Sequence, residues 1–348
     1  MVDITRVSLD SLAVQGCAYF RGAGLKRRKK IMRGPSTPFF AFSILILLFA
    51  LRTTAIIVSP LDLGVDEAQY WLWGQTPRLG YYSKPPLIAW ILGVSNWLLG
   101  SSVAAVRSAS ALLHLLTSLM LWRAASTLFD EPTGRIAALL WASLPAVGLG
   151  SFIMSTDSIM LLFWSAGFAS LCTAFMQPHK LYTSIAIAGA LIGIATLGKY
   201  AGLYFLVGFA GWLSFSCSWP KRTRFTALMI FAGFVALFAS PTIVFNLSNE
   251  FVTVTHVGDN ADLDRIQPSM TGLVTFLGAQ FFVFGPVVFF LLLAGCVSAH
   301  IDNQDKTALL RWFILPVLGV ICVQAALREA NANWAVAAFP AATLLVAR

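Results

Sequence analysis

Charge is scarce in this chain. Only 11% of its 348 residues are charged, with 15 acidic side chains and four His. A soluble domain carries about a quarter charged residues, so that class is excluded. Cysteine is rare as well: the five, at 17, 172, 217, 296 and 322, fall in no run that reads as an outer loop, and no disulfide framework follows. No Walker lysine, HExxH, GxSxG, CxxC or dinucleotide fingerprint occurs. Ten-residue segments of alternating polarity are also missing, which argues against a β-barrel. What is abundant is apolar surface: 58% hydrophobic residues, 27 Phe, 11 Trp and a mean hydropathy of +0.77. The composition predicts an all-α, polytopic membrane protein.

Apolar runs of about 20 residues predict about ten transmembrane helices. They cover roughly 38–58, 104–122, 136–153, 158–176, 183–198, 200–218, 225–245, 272–299, 309–326 and 334–347. Ahead of the first lies the basic cluster Lys26-Arg27-Arg28-Lys29-Lys30, which predicts a cytoplasmic N-terminus. Alternating from there puts 17 of the 24 Lys and Arg on the inner side, so the net charge of +9 is an orientation signal and no nucleic-acid footprint. Residues 1–37 read as a basic cytoplasmic tail without periodicity, and 38–348 as the membrane-embedded domain. The first run follows too much polar sequence for a cleavable signal and reads as a signal anchor. The short tenth run predicts a domain shortened at its C-terminal end. Gly189, Gly193, Gly198 and Gly202 in the fifth and sixth runs predict close helix packing.

The acidic residues lie mostly in the outer loops. Insertion does not explain that bias, since carboxylates count for little in topogenesis. The first outer loop, Ser59 to Ser102, holds two amphipathic stretches, Asp66 to Gly74 and Pro86 to Leu99, expected as interfacial or re-entrant helices. Asp66 reads either as a helix cap with Gln69 three residues on, or as an ionisable group at a site, with Glu67 favouring the helix start. Asp157, in Ser155-Thr156-Asp157, has the same two readings. Lys84, between Tyr81-Tyr82 and Pro85-Pro86, and Lys199, between two runs, are snorkelling lysines or an anion clamp for a phosphate. Tyr70, Trp71, Trp73 and Trp90 could line a groove for a lipid tail.

The second long outer loop, Asn246 to Ser269, offers His256 and Arg265, and Arg328 stands before Trp334 as a further clamp candidate. Asp262-Leu263-Asp264 resembles a metal-binding DxD only superficially, leaving a divalent cation as the one cofactor in question and the metal ligands unknown.

The segment Leu63-Gly64-Val65-Asp66-Glu67-Ala68-Gln69-Tyr70-Trp71-Leu72-Trp73, followed by Leu79-Gly80-Tyr81-Tyr82-Ser83-Lys84-Pro85-Pro86, resembles the bacterial GT-C superfamily of integral membrane glycosyltransferases. Within it, the dolichyl-phosphate-mannose protein mannosyltransferase-like group is similar, including the lipid A aminoarabinose transferases and rhizobial lipopolysaccharide galacturonosyltransferases. Ser155-Thr156-Asp157, Gly198-Lys199-Tyr200, Phe276 to Gln280 and Asn331-Ala332-Asn333-Trp334 are further matching stations. The resemblance implies transfer of a sugar from a polyprenyl-phosphate donor to a lipid-linked or glycan acceptor of the cell envelope, on the periplasmic face of the inner membrane and with inversion. It makes Asp66 the base and Asp157 a second acidic position. It makes Lys84 a donor-phosphate contact. Glu67, Tyr70, Tyr82, Lys199, His256, Arg265 and Arg328 are the accompanying binding candidates. The aminoarabinose enzymes carry an acidic residue where Ser83 stands, which argues against a metal at that position. Competing readings are an inactive shortened homologue and a lipid or solute transporter, whose mid-span ionisable candidates are Arg52, Arg107 and His114.

Overall fold

Backbone polar groups in hydrocarbon must be paired within their own segment, so long apolar runs fold as helices. The computed structural model describes residues 37–261, 268–297 and 304–348, and every regular element among them is helical. Of the predicted tail, residues 1–37, all but Thr37 lie outside the described residues, as does 262–267 of the second long loop with Arg265, Asp262 and Asp264.

In chain order the helices are α1 (Thr37–Val58), α2 (Val65–Gln75), α3 (Leu87–Leu99), α4 (Val103–Leu128), α5 (Glu131–Ser143), α6 (Pro145–Gly150), α7 (Thr156–Met176) and α8 (Leu181–Gly198). There follow α9 (Tyr204–Phe215), α10 (Lys221–Phe238), α11 (Ser240–Ser248), α12 (Val252–Ala261), α13 (Met270–Phe284), α14 (Pro286–Val297), α15 (Gln304–Leu327) and α16 (Phe339–Ala347). Short 3-10 turns at Tyr200–Leu203 and Ala332–Ala338 lead into α9 and α16.

The ten predicted spans do not all take that form. Five helices, α1, α4, α7, α8 and α15, are long and apolar enough to cross a membrane. Two more runs are bent pairs, α10 with α11 at 60° and α13 with α14 at 110°. The second bend has a local cause: Gly285 takes φ 89, in the left-handed region, and Pro286 cannot continue a helix. The remaining three runs are broken or short. Residues 136–153 divide at Leu144-Pro145, and the runs at 200–218 and 334–347 begin as 3-10 turns. Hydropathy reports how much apolar sequence is present; it does not report where proline and glycine break the helix.

Aromatic side chains fill the centre of the bundle. Trp164 and Phe168 of α7, Phe205 of α9 and Phe313 of α15 are fully buried, with Phe205 and Phe313 ring centroids 4.6 Å apart. Helices α8 and α10 approach through glycine. A Cβ on Gly189 would stand 2.6 Å from the Phe231 carbonyl oxygen, and one on Gly193 2.8 Å from that of Val235. Arg52, the charge inside α1, donates to the Ala142 carbonyl at 2.6 Å, satisfying an acceptor at the end of α5 that the helix leaves open.

Two ends of α4, about 39 Å apart at 1.5 Å per residue, carry different chemistry. At Leu128 and Phe129, Lys306 donates to the Leu128 carbonyl, and the Arg348 guanidinium lies 5.3 Å from the Phe129 ring centroid. At the other end stands Arg107, beside the loop that carries the acidic candidates.

Candidate active site

Helix α2 begins with Gly64 in extended conformation as its cap, so Asp66 is not the capping residue. Glu67 takes that work: its Oε2 accepts the Gly64 N–H at 2.9 Å. The same carboxylate accepts the Met154 N–H at 3.0 Å and pairs with Arg107 Nη2 at 2.8 Å. Arg107 spends its remaining donors on the Leu61 and Asp62 carbonyls, at 2.9 and 2.7 Å. Glu67 is 3% exposed and ties α2, α4 and the segment before α7 together. Relieved of capping, the Asp66 carboxylate is exposed, and the acidity of the Tyr70 hydroxyl one turn on is suppressed by burial and then by the charges of Asp66 and Asp157.

The loop from α2 to α3 is built on Tyr81. Its ring stacks on Trp73 with centroids 4.5 Å apart, its hydroxyl accepts the Arg78 N–H at 3.1 Å, and its own N–H donates to the Lys84 carbonyl at 3.1 Å. Thr253 of α12 donates to the Tyr81 carbonyl at 2.7 Å, and Trp90 Nε1 to Arg78 at 2.8 Å. With Pro85 and Pro86 following, the backbone at Lys84 is fixed on both sides. The α2–α3 approach depends on Gly74 and Gly93, since a Cβ on Gly93 would stand 2.9 Å from the Gly74 carbonyl oxygen.

Asp157 is the second residue of α7 and caps nothing. Its Oδ1 accepts from Lys199 Nζ at 2.6 Å and its Oδ2 from Asn333 Nδ2 at 2.8 Å. Lys199 extends from the end of α8. The next residue, Tyr200, exchanges a hydrogen bond with Thr242 at 2.8 Å and accepts from Asn246 at 2.9 Å, which holds the α8–α9 corner against α11.

The Lys84 loop, the α8–α9 corner, α12, α15 and Trp334 line a cavity of about 520 Å³, while Asp66, Glu67 and Arg107 line a second one of about 720 Å³. Lys84, Lys199 and Tyr200 mark the polar end of the first, with Asn260, Gln324 and Trp334 contributing, and Tyr204, Val207, Val320 and Ile321 make the rest apolar. The Lys84 ammonium is held below the ordinary lysine range, by burial first and Lys199 second, while Asp66 and Asp157 act in the opposite sense. Among the described residues Lys199 is ion-paired and Lys84 makes no ion pair.

The other candidates lie less centrally. Tyr82 is 61% exposed, its ring centroid 4.7 Å from that of His256. His256 is hydrogen-bonded to Asn260 at 3.1 Å and stands behind the cavity wall rather than in it. Arg328 follows α15, its N–H donating to Gln324 at 2.8 Å; the wall on that side is made by Gln324 and Trp334. Among the described residues no group of three His, Cys, Asp or Glu is placed to hold a metal ion. Arg107 and Asn333 were missed as site-building residues. The signal for Arg107 is a charge inside an apolar run, which requires a partner; Asn333 had only its place in the Asn331-to-Trp334 station.

Comparison with known proteins agrees with this architecture. Residues 83–245 match the dolichyl-phosphate-mannose-protein mannosyltransferase family. Over 308 residues the chain is 32% identical to the lipid A galacturonosyltransferase RgtD of Rhizobium johnstonii, covering 87% of this chain and 64% of that protein. The crystal structure of ArnT from Cupriavidus metallidurans bound to undecaprenyl phosphate superposes with a TM-score of 0.70 at 15% identity, over 90% of this chain and 60% of ArnT. The oligosaccharyltransferase of Archaeoglobus fulgidus shares the fold more distantly, with a TM-score of 0.60 at 13% identity over 90% of this chain and 51% of that one. The chain thus spans under two thirds of the length of each. It is an integral membrane protein with the GT-C fold of ArnT.

Proposed function

We propose that the protein transfers a sugar from a polyprenyl-phosphate carrier to a hydroxyl of a lipid A, lipopolysaccharide or other envelope acceptor, with inversion at the anomeric carbon. The observation that carries this reading is that Lys84 and Lys199 share one cavity with a cationic end and an apolar body, and that Asp157 is held on Lys199 at 2.6 Å. Asp66 takes the proton of the acceptor hydroxyl, the acceptor oxygen forms its bond to C1, and the C1–O bond to phosphate breaks with its electron pair leaving on the phosphate. Charge grows on that phosphate as the bond breaks, and Lys84, with no carboxylate paired to it, is the cation free to meet it. The apolar part of the cavity suits the isoprenoid chain. Of the proteins named above, RgtD is by name a lipid A galacturonosyltransferase and ArnT was crystallised with undecaprenyl phosphate, and the reaction assigned here is of that class.

The site belongs on the periplasmic face of the inner membrane, because the basic clusters flanking the opposite helix ends favour the cytoplasm. The N-terminus is then cytoplasmic. Of the transporter reading's three mid-span candidates, Arg107 is tied to Glu67 and Arg52 to the end of α5, while His114 is buried and its Nδ1 makes no hydrogen bond among the described residues.

The test is transfer from a labelled polyprenyl-phosphate sugar in proteoliposomes. Wild type turns over and Asp66→Asn does not, while inserting normally; full turnover by Asp66→Asn overturns the reading.

A further inference from the structure

We infer that Asn333 is a positioning residue for donor binding, acting through Asp157 on Lys199; this rests on the polyprenyl-phosphate reading. Asp157 is short, 16% exposed at its side chain, and paired with one of the two lysines that share the cavity. Its carboxylate has two oxygens and can turn about its side-chain bonds. Left with Lys199 alone it is free to swing an oxygen toward Lys84, which makes no ion pair among the described residues, and so to cancel its charge. Asn333 removes that freedom: its amide holds Oδ2 at 2.8 Å while Oδ1 holds Lys199 Nζ at 2.6 Å. An amide is the suitable clamp, because it donates a directed hydrogen bond and brings no charge to a cavity meant for a phosphate.

The clamp comes from the far end of the sequence, 176 positions from Asp157. Asn333 sits in the 3-10 turn Ala332–Ala338, which is anchored in turn: Gln280 of α13 donates to the Ala332 carbonyl at 2.9 Å, and Ala335, Ala337 and Ala338 are buried. Trp334, the next residue, lines the cavity wall. The turn therefore delivers a hydrogen bond to Asp157 and an aromatic face to the cavity from one rigid segment. Asn333 itself is exposed and outside the packed core, so its removal leaves the bundle intact.

The experiment measures binding of undecaprenyl phosphate and of undecaprenol, which lacks the phosphate, to detergent-purified protein. Wild type prefers the phosphate lipid. Asn333→Ala should lose about tenfold in affinity for the phosphate lipid and nothing for the alcohol, and Asn333→Ser, which keeps a short donor, should recover part of it. In an Asp157→Asn background, Asn333→Ala should have no further effect, since the two act as one unit. Unchanged binding of the phosphate lipid by Asn333→Ala, or parallel loss of both lipids, overturns the inference and leaves the transfer reaction standing. A wild type that does not distinguish the two lipids overturns the donor reading and the inference together.

Discussion

Glu67 and Arg107, 40 positions apart, form a buried ion pair 2.8 Å long in which Arg107 also donates to the Leu61 and Asp62 carbonyls. Burial alone would raise the Glu67 carboxyl, yet hydrogen bonds from Arg107, Gly64 and Met154 hold it below the usual carboxylate range. The pair fixes α2 against α4 and the start of α7, and Asp66 is the residue next to it.

Breaking the pair should therefore cost both stability and register. Glu67→Gln or Arg107→Met leaves one charge buried without its partner, a loss of about 3–5 kcal/mol, read as a lower thermal midpoint in detergent. Because the folded-state value of Glu67 is depressed, its stabilisation is complete at neutral pH and disappears as pH falls through that value. The acid limb of a midpoint-against-pH curve should be shallower in Glu67→Gln than in wild type.

Asp66 is exposed and caps nothing, so its replacement should leave folding alone and remove the base. Asp66→Asn should lower kcat by about 10²–10⁴-fold while undecaprenyl phosphate binding holds. A fall in lipid binding of the same size would assign Asp66 to the donor site instead.

Lys84 is faced by Lys199, Asp66 and Asp157, and its ammonium is held below the ordinary lysine range. Affinity for the phosphate lipid should fall as pH rises through that lowered value, earlier than a solvated lysine would produce. Lys84→Arg keeps its charge throughout and should lose this pH dependence; Lys84→Met should bind weakly at every pH. A titration of lipid affinity for the three proteins decides it.

Gly93 lets α3 lie directly on α2. Gly93→Leu pushes a side chain into the Gly74 carbonyl and should cost about 1–3 kcal/mol together with transfer activity, since α2 carries Asp66 and the loop between the two helices carries Lys84. Gly278→Leu, where a Cβ meets nothing within 4 Å, is the matched control and should keep both.

Much of the site could be read from residue order. Asp66, Lys84, Asp157 and Lys199 were each conspicuous as ionisable groups where apolar sequence stops, because a charge near hydrocarbon is expensive unless it is used. Glu67 does serve the helix start, but nothing local reveals its partner 40 positions on. The alternating helix count was harder to judge, because Gly285-Pro286 and Leu144-Pro145 break runs that hydropathy joins.

Sequence by itself determined that this chain is helical and membrane-embedded, because the free energy of leaving water depends on composition and length. It also marked which ionisable side chains stand at the ends of the apolar runs. Only the tertiary structure decided which of them meet: that Asp157 is taken by Lys199 and Asn333, that Glu67 is taken by Arg107, and that Lys84 keeps its charge unpaired among the described residues. Pairing falls off within a few ångströms and is blind to sequence separation, so it becomes visible only when packing has brought distant helix ends together.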